Sequence, residues 1–203
     1  MRILFLLFIM IAMLKADRLG TINEVDLDLP LSMSIEEFID RSIGHIPRAI
    51  VKDGLPFFGS KRGDFKGKLR IHKGYDIYVN HSDVFSSAKG KVLEIAHGKL
   101  SGTYIKVQHK NDVQTLYIHL TSVSVKIGDS VEKGTILGRI DGAAGNAVAP
   151  QLHYEIKLKG VHQDPLMVIK NTYHDRRLLE KIARYEALMK DAVVQRNKLV
   201  NAR

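Results

Sequence analysis

The chain has no cysteine and no tryptophan, only five prolines, and aromatic residues at 7% of its 203 positions. Without cysteine there is no disulfide to staple a small fold, no thiolate chemistry and no thiol acceptor for a lipid anchor. Aromatics this sparse, none of them interleaved with a basic run, exclude the stacking platform of a nucleic-acid-binding surface. Long apolar runs are missing too. The longest, the twelve residues from Ile3 to Leu14, rises only about 18 Å as a helix, short of a hydrocarbon core of about 30 Å. No helical pattern of 10 to 15 residues separates the strand-like segments, which argues against a parallel α/β sheet.

What is present organises the chain into four parts. Residues 1–16, MRILFLLFIMIAMLKA, combine a basic Arg2, the apolar run and a small Ala16, the pattern of a signal peptide cleaved after Ala16. Export to the periplasm or cell envelope follows as an expectation, and an uncleaved N-terminus would give loose membrane association. Removing this segment leaves 29 basic against 22 acidic residues, a net charge of +7 that suits a polyanionic partner. Residues 17–56 read as a lead-in. Within it Ser34 and Glu37 stand at capping-box spacing ahead of an apolar stripe of Ile35, Phe38, Ile39 and Ile43, predicting a short helix over Ser34–Ile43.

From about residue 57 to 170 the texture changes to short alternating runs broken by Gly, Asn and Asp: KVLEIAH, TYIKVQH, QTLYIHL, SVSVKI, GTILGRI and QLHYEIKL. Many short strands with regular turn signals predict a mainly β domain built on antiparallel sheet. Residues 171–203 are helical in pattern, with Leu178, Ile182, Tyr185, Met189, Ala192 and Leu199 at alternating four- and three-residue steps, and predict a long C-terminal helix. The stretch from His174 onward has eight basic and four acidic residues, more than half of the excess positive charge.

Two segments hold the candidate chemistry. In PQLHYEIK, residues 150–157, strict alternation puts Leu152, Tyr154 and Ile156 on one face of a strand and Gln151, His153 and Glu155 on the other. In RIHKGYDIYV, residues 70–79, His72 and Asp76 are four apart with Gly74 midway among strand formers. A straight strand would hold them about 13 Å apart. A bend at Gly74, which tolerates backbone angles closed to other residues, would bring them together. With His153 they make two imidazoles and one carboxylate, three ligands plus an open position, the pattern of a catalytic zinc site.

The succession FFGSKRG, RIHKGYDIYV, AKGKVLEIAHG, GTYIKVQH, LYIHL, KIGDSVEKGTILGRI, GAAGN and PQLHYEI, followed by QDP, resembles the LytM or lysostaphin-type zinc endopeptidases in order and spacing over about residues 57–170. The resemblance implies a LytM-like β fold with Zn2+ held by His72, Asp76 and His153, and His119, in Tyr117-Ile118-His119-Leu120, as a catalytic histidine. It also implies peptidoglycan as substrate, cut at its peptide cross-links by metal-assisted hydrolysis in which His119 orients water or stabilises the tetrahedral oxyanion. One position departs from the family pattern. Gln151 stands where the first histidine of H-x-H belongs, a residue the family uses for proton handling, and an amide does not relay protons near neutral pH.

That departure supports an alternative of another class: a non-catalytic regulator that binds cell wall or activates a peptidoglycan amidase or another wall-remodelling protein. KIGDSVEKGTILGRI also shares the turn-strand pattern of biotinyl and lipoyl carrier domains, but it lacks their Met-flanked lysine. Glu155 is given no catalytic role, the histidines at 81, 97, 109, 162 and 174 are assigned to surface or structure, and His45 is left unassigned. The lead-in could also cover a groove, with Asn23 or Asp26 filling the open metal position.

Overall fold

The computed structural model describes residues 21–22, 24–44, 55–63 and 69–172, plus positions 180, 183, 184, 187, 191 and 194, each helical. The signal-peptide expectation, Asn23, His45 and His174 lie outside the described residues, as does most of the stretch expected to form a long C-terminal helix, which the structure therefore does not support.

The lead-in is a packing element. Helix α1, Ile35–Ile39, starts at Ser34, whose side chain accepts from the Glu37 backbone N–H, and continues as one π turn, Asp40–Gly44. Only half of a capping box forms, because the Glu37 carboxylate turns forward to Arg41 Nε at 2.8 Å. Ile35, Phe38 and Ile39 are buried, as are Ile22, Leu31 and Leu55, and the Phe38 ring packs 6.1 Å from that of Tyr75. Asp26 is exposed and pairs with Lys133 at 2.8 Å, so it does not serve as a metal plug.

Among the described residues twelve strands follow: β1 Lys61–Gly63, β2 Leu69–Ile71, β3 Tyr75–Tyr78, β4 Ser82–Phe85, β5 Gly90–Gly98, β6 Gly102–Gln108, β7 Val113–Leu120, β8 Ser122–Val123, β9 Ser130–Val131, β10 Ile136–Ile140, β11 Gln151–Leu158 and β12 Val161–Gln163. Helix α2, Pro165–Thr172, comes after them. The main sheet runs β12-β11-β7-β6-β5-β9, with β3 added on β11; β4-β10-β8 form a second sheet and β1-β2 a two-stranded one. Every pairing given for these strands is antiparallel. The expected mainly β, antiparallel fold is therefore the observed one.

Alternation decides which face of β11 meets the core. Leu152, Tyr154 and Ile156 are buried among Ile77, Ile105, Val107 and Tyr117, and the Tyr154 and Tyr117 rings lie 5.5 Å apart. Two short strands share one edge of β11: β3 pairs with Gln151–Tyr154, and β12 with Ile156–Leu158. The chain enters β3 through Gly74, where a Cβ would lie 2.1 Å from the Tyr154 carbonyl oxygen. The expectation of unusual backbone angles at Gly74 is corrected, since its φ is not positive; the glycine serves close approach of two backbones. Gly74→Ala is expected to destabilise the fold by about 2–3 kcal/mol, because the obstructing atoms are backbone and cannot turn away. Denaturant unfolding checks this.

Candidate metal centre

Register brings the two sequence segments together. His153 sits directly opposite Asp76 across the β11-β3 pair, and antiparallel partners present their side chains on the same face. His72 precedes β3, held by a strap of residues 55–60: its N–H donates to the Ser60 carbonyl, its own carbonyl accepts from Gly59, and the Asp76 N–H donates to the Pro56 carbonyl. The result is a buried group of three donors. His153 Nδ1 lies 2.7 Å from Asp76 Oδ1 and 3.0 Å from His72 Nε2, and His72 Nε2 lies 3.4 Å from Asp76 Oδ1.

The arrangement fits a metal ion on three counts. Donors bonded tetrahedrally at about 2.0–2.2 Å stand roughly 3.3 Å from one another, close to the spacings seen. His72 Nδ1 is 2.9 Å from the Phe57 carbonyl oxygen, which can only accept, so that nitrogen carries hydrogen and Nε2 offers its lone pair to the group. His153 Nε2 is 3.0 Å from Glu155 Oε1, which likewise leaves Nδ1 facing Asp76 and His72. These three are also the group of possible metal-holding side chains found among the described residues.

The electrostatics bear on how a cation would enter. For Asp76, burial alone would raise the carboxyl, but His72 and His153 outweigh it and hold it well below the usual range. Burial lowers His72, with partial compensation from Asp76. For His153 burial is overcome by hydrogen bonds to Asp76 and Glu155, which push it up to about 9. Glu155, in turn, is held down to about 2 despite burial, chiefly by its hydrogen bond to His153. A proton is therefore stabilised on His153 in the metal-free protein. The sign follows: this charge contributes stability to the metal-free fold that is fully present below about pH 6.5 and lost as pH rises through about 9. Metal uptake must displace the same proton, so metal affinity is expected to rise about tenfold per pH unit toward pH 9 and then level off. Chelator-competition titrations at several pH values measure that slope.

His119 reaches this site by a local distortion. The β6-β7 register shifts between Thr103/Leu120 and Tyr104/Ile118, which leaves His119 as the extra residue of a β-bulge with φ +71°. Its N–H donates to the Ser101 carbonyl at 3.0 Å, and its ring lies edge-on to His153, 6.1 Å away. Burial, aided by the charge of His153, lowers His119 to about 4, so its imidazole is neutral at neutral pH. Gln151 is buried on the His153 face, opposite Tyr78. Among the described residues neither His119 Nδ1 nor Gln151 Oε1 has a hydrogen-bond partner. With Arg62 Nε these are the buried side-chain polar atoms without a partner among the described residues, and such atoms are costly when left unpaired, which suits a polar guest at the donor group.

Of the five sequence-predicted residues, His72, Asp76 and His153 meet at one point, His119 lies beside His153, and Gln151 is buried on the same face of β11. Sequence reasoning missed Arg62, whose Nη2 donates to Asp76 Oδ2 at 2.5 Å and to the Leu55 carbonyl at 2.8 Å. It also missed the Phe57 carbonyl and the contacts of Glu155 and His162. Alternation had put Glu155 on the His153 face, and that was the available signal. The other described histidines have structural partners: His81 with Asp141, His97 with Thr103, and His109 with Thr115 and the Lys89 carbonyl.

The fold and site together define an antiparallel β framework carrying a buried two-histidine, one-aspartate group that could hold a metal ion. Residues 70–165 match the model of Peptidase family M23. An uncharacterized metalloprotease of Haemophilus influenzae is 35% identical over 115 residues, covering 56% of this chain and 24% of the relative. The peptidoglycan DD-endopeptidase ShyC of Vibrio cholerae is 29% identical over 138 residues, covering 61% of this chain and 31% of that protein. The chain thus spans about a quarter to a third of the length of these relatives. Among solved structures, a zinc-containing peptidase from Vibrio cholerae superposes with a TM-score of 0.50 at 25% identity, covering 61% of this chain and 37% of that one.

Proposed function

We propose that this protein is a zinc-dependent endopeptidase of the cell envelope that cuts peptide cross-links of peptidoglycan. The observation that carries the reading is the convergence of His72, Asp76 and His153 on one buried point, with the His119 ring beside His153. The peptidoglycan endopeptidase among its relatives supplies the substrate class, and the zinc-containing relative supplies the metal. When bound, the ion would supply Lewis-acid polarisation of water and of the scissile carbonyl.

The protein's own residues divide the remaining work. His72 and His153 present one lone pair each, and Phe57 and Glu155 fix which nitrogen that is. Arg62 holds the outer oxygen of Asp76, so the carboxylate offers Oδ1 to the site. His119, neutral and with Nδ1 lacking a partner among the described residues, orients water or the developing oxyanion. Gln151 offers a hydrogen bond without taking a proton. Export through residues 1–16 would place the domain with its substrate in the periplasm or cell envelope, and the excess positive charge suits anionic wall polymer.

Gln151 favours one second reading, a zinc-holding module that binds wall or activates an amidase without cutting peptides itself. Metal analysis of purified protein, paired with muropeptide digestion, separates the two. Zinc at one equivalent with new peptide ends is the expected result. Zinc without new ends, but with stimulation of an added amidase, would replace the enzyme reading by the regulator.

A further inference from the structure

We propose that His162 and Glu155 form a tether that fixes the ring of His153 and thereby sets how tightly this site holds its metal ion. The proposal rests on the metal-centre reading above and extends it to a residue outside every motif of the sequence. His162 Nε2 lies 2.9 Å from Glu155 Oε2, and Glu155 Oε1 lies 3.0 Å from His153 Nε2. A carboxylate only accepts, so both imidazoles donate to it through Nε2. With that nitrogen committed, His153 has only Nδ1 to present, the atom that lies 2.7 Å from Asp76 and 3.0 Å from His72.

The fold builds this contact deliberately. The turn after β11 uses two left-handed residues, Lys159 at φ +49° and Gly160 at φ +77°, to send the chain back as β12. Register then sets His162 opposite Lys157, on the face that also holds Glu155 and His153, and its ring reaches diagonally to Glu155. Glu155 is buried, and a buried carboxylate is retained only where donors answer both of its oxygens. His153 answers one and His162 the other. Removing His162 would leave Glu155 free to turn from His153, and the ring would lose the hydrogen bond that selects its tautomer and angle. Partners one step removed from a metal tune affinity in this way.

A plain structural clip between β11 and β12 would use the same atoms, so the test needs a measurement that such a clip would not move. Zinc affinity of the full chain would be measured by chelator competition for wild type, His162→Ala and His162→Gln, alongside thermal unfolding of each in metal-free form. The Gln amide nitrogen can donate to Glu155 much as the imidazole Nε2 does. Expected are an affinity loss of about tenfold in His162→Ala, recovery of most of it in His162→Gln, and metal-free melting temperatures that do not follow this order. Wild-type affinity in His162→Ala would overturn the tether, as would losses that simply track melting temperature without rescue by Gln. A wild-type chain that takes up no zinc would overturn the metal-centre reading itself, and the tether with it.

Discussion

Asp76→Asn is expected to lower zinc affinity by more than about 100-fold, the upper end of what changes one step beyond the ligands produce. The substitution keeps size and shape but removes the only negative charge among the three donors. It also turns an acceptor into a group that presents N–H to one of its neighbours: His153 Nδ1 on one side, at 2.7 Å, or Arg62 on the other, at 2.5 Å. Arg62 would be left with the Leu55 carbonyl and no counter-ion in a largely buried position. Breaking such a pair from one side costs about 3 kcal/mol, so the metal-free fold should weaken as well. Chelator competition and denaturant unfolding give the two values separately. Zinc affinity within tenfold of wild type would show that Asp76 is not a ligand.

Gln151→His is expected to raise the rate of peptide-bond hydrolysis by about 10² to 10⁴, the usual worth of one positioned acid or base. The backbone already holds the position: Gln151 is the first residue of β11, buried, and on the His153 face. Its Oε1 has no partner among the described residues, so an imidazole nitrogen there would break no existing hydrogen bond of that oxygen. An amide can orient a substrate group but cannot pass a proton to a leaving amine, whereas histidine can do both. The comparison is made on muropeptides with zinc content verified equal in both proteins. An inert Gln151→His protein carrying a full equivalent of zinc would show that proton handling is not what limits this site.

Much of the site could be read before any coordinates. Hydrophobic alternation in QLHYEIKL separated the core residues Leu152, Tyr154 and Ile156 from the Gln151, His153, Glu155 face, because the side-chain period of a strand is a property of the backbone alone. The spacing of His72, Gly74 and Asp76 marked a bend between two donors. The role of Gly74 was not readable, since it depends on a carbonyl 80 residues further along the chain. Arg62 stood within FFGSKRG but carried no signal of its partner, because an arginine on a three-residue strand could as easily face solvent.

His119 shows where local reasoning ends. Unbroken alternation would put it on the same face as Tyr117, whose hydroxyl is buried against Ser87 and Thr115 in the core. One extra residue in the β6-β7 register re-aims it toward His153. By itself the sequence determined the antiparallel β class and the face of β11, because each depends on chain periodicity, while the donor set followed from the family resemblance of its motifs. Only the tertiary structure decided that Asp76 lies opposite His153, that Phe57 and Glu155 choose which nitrogen each ligand presents, and that a bulge delivers His119. Strand register and bulges are set by the energy of pairing with distant partners, which no local pattern encodes.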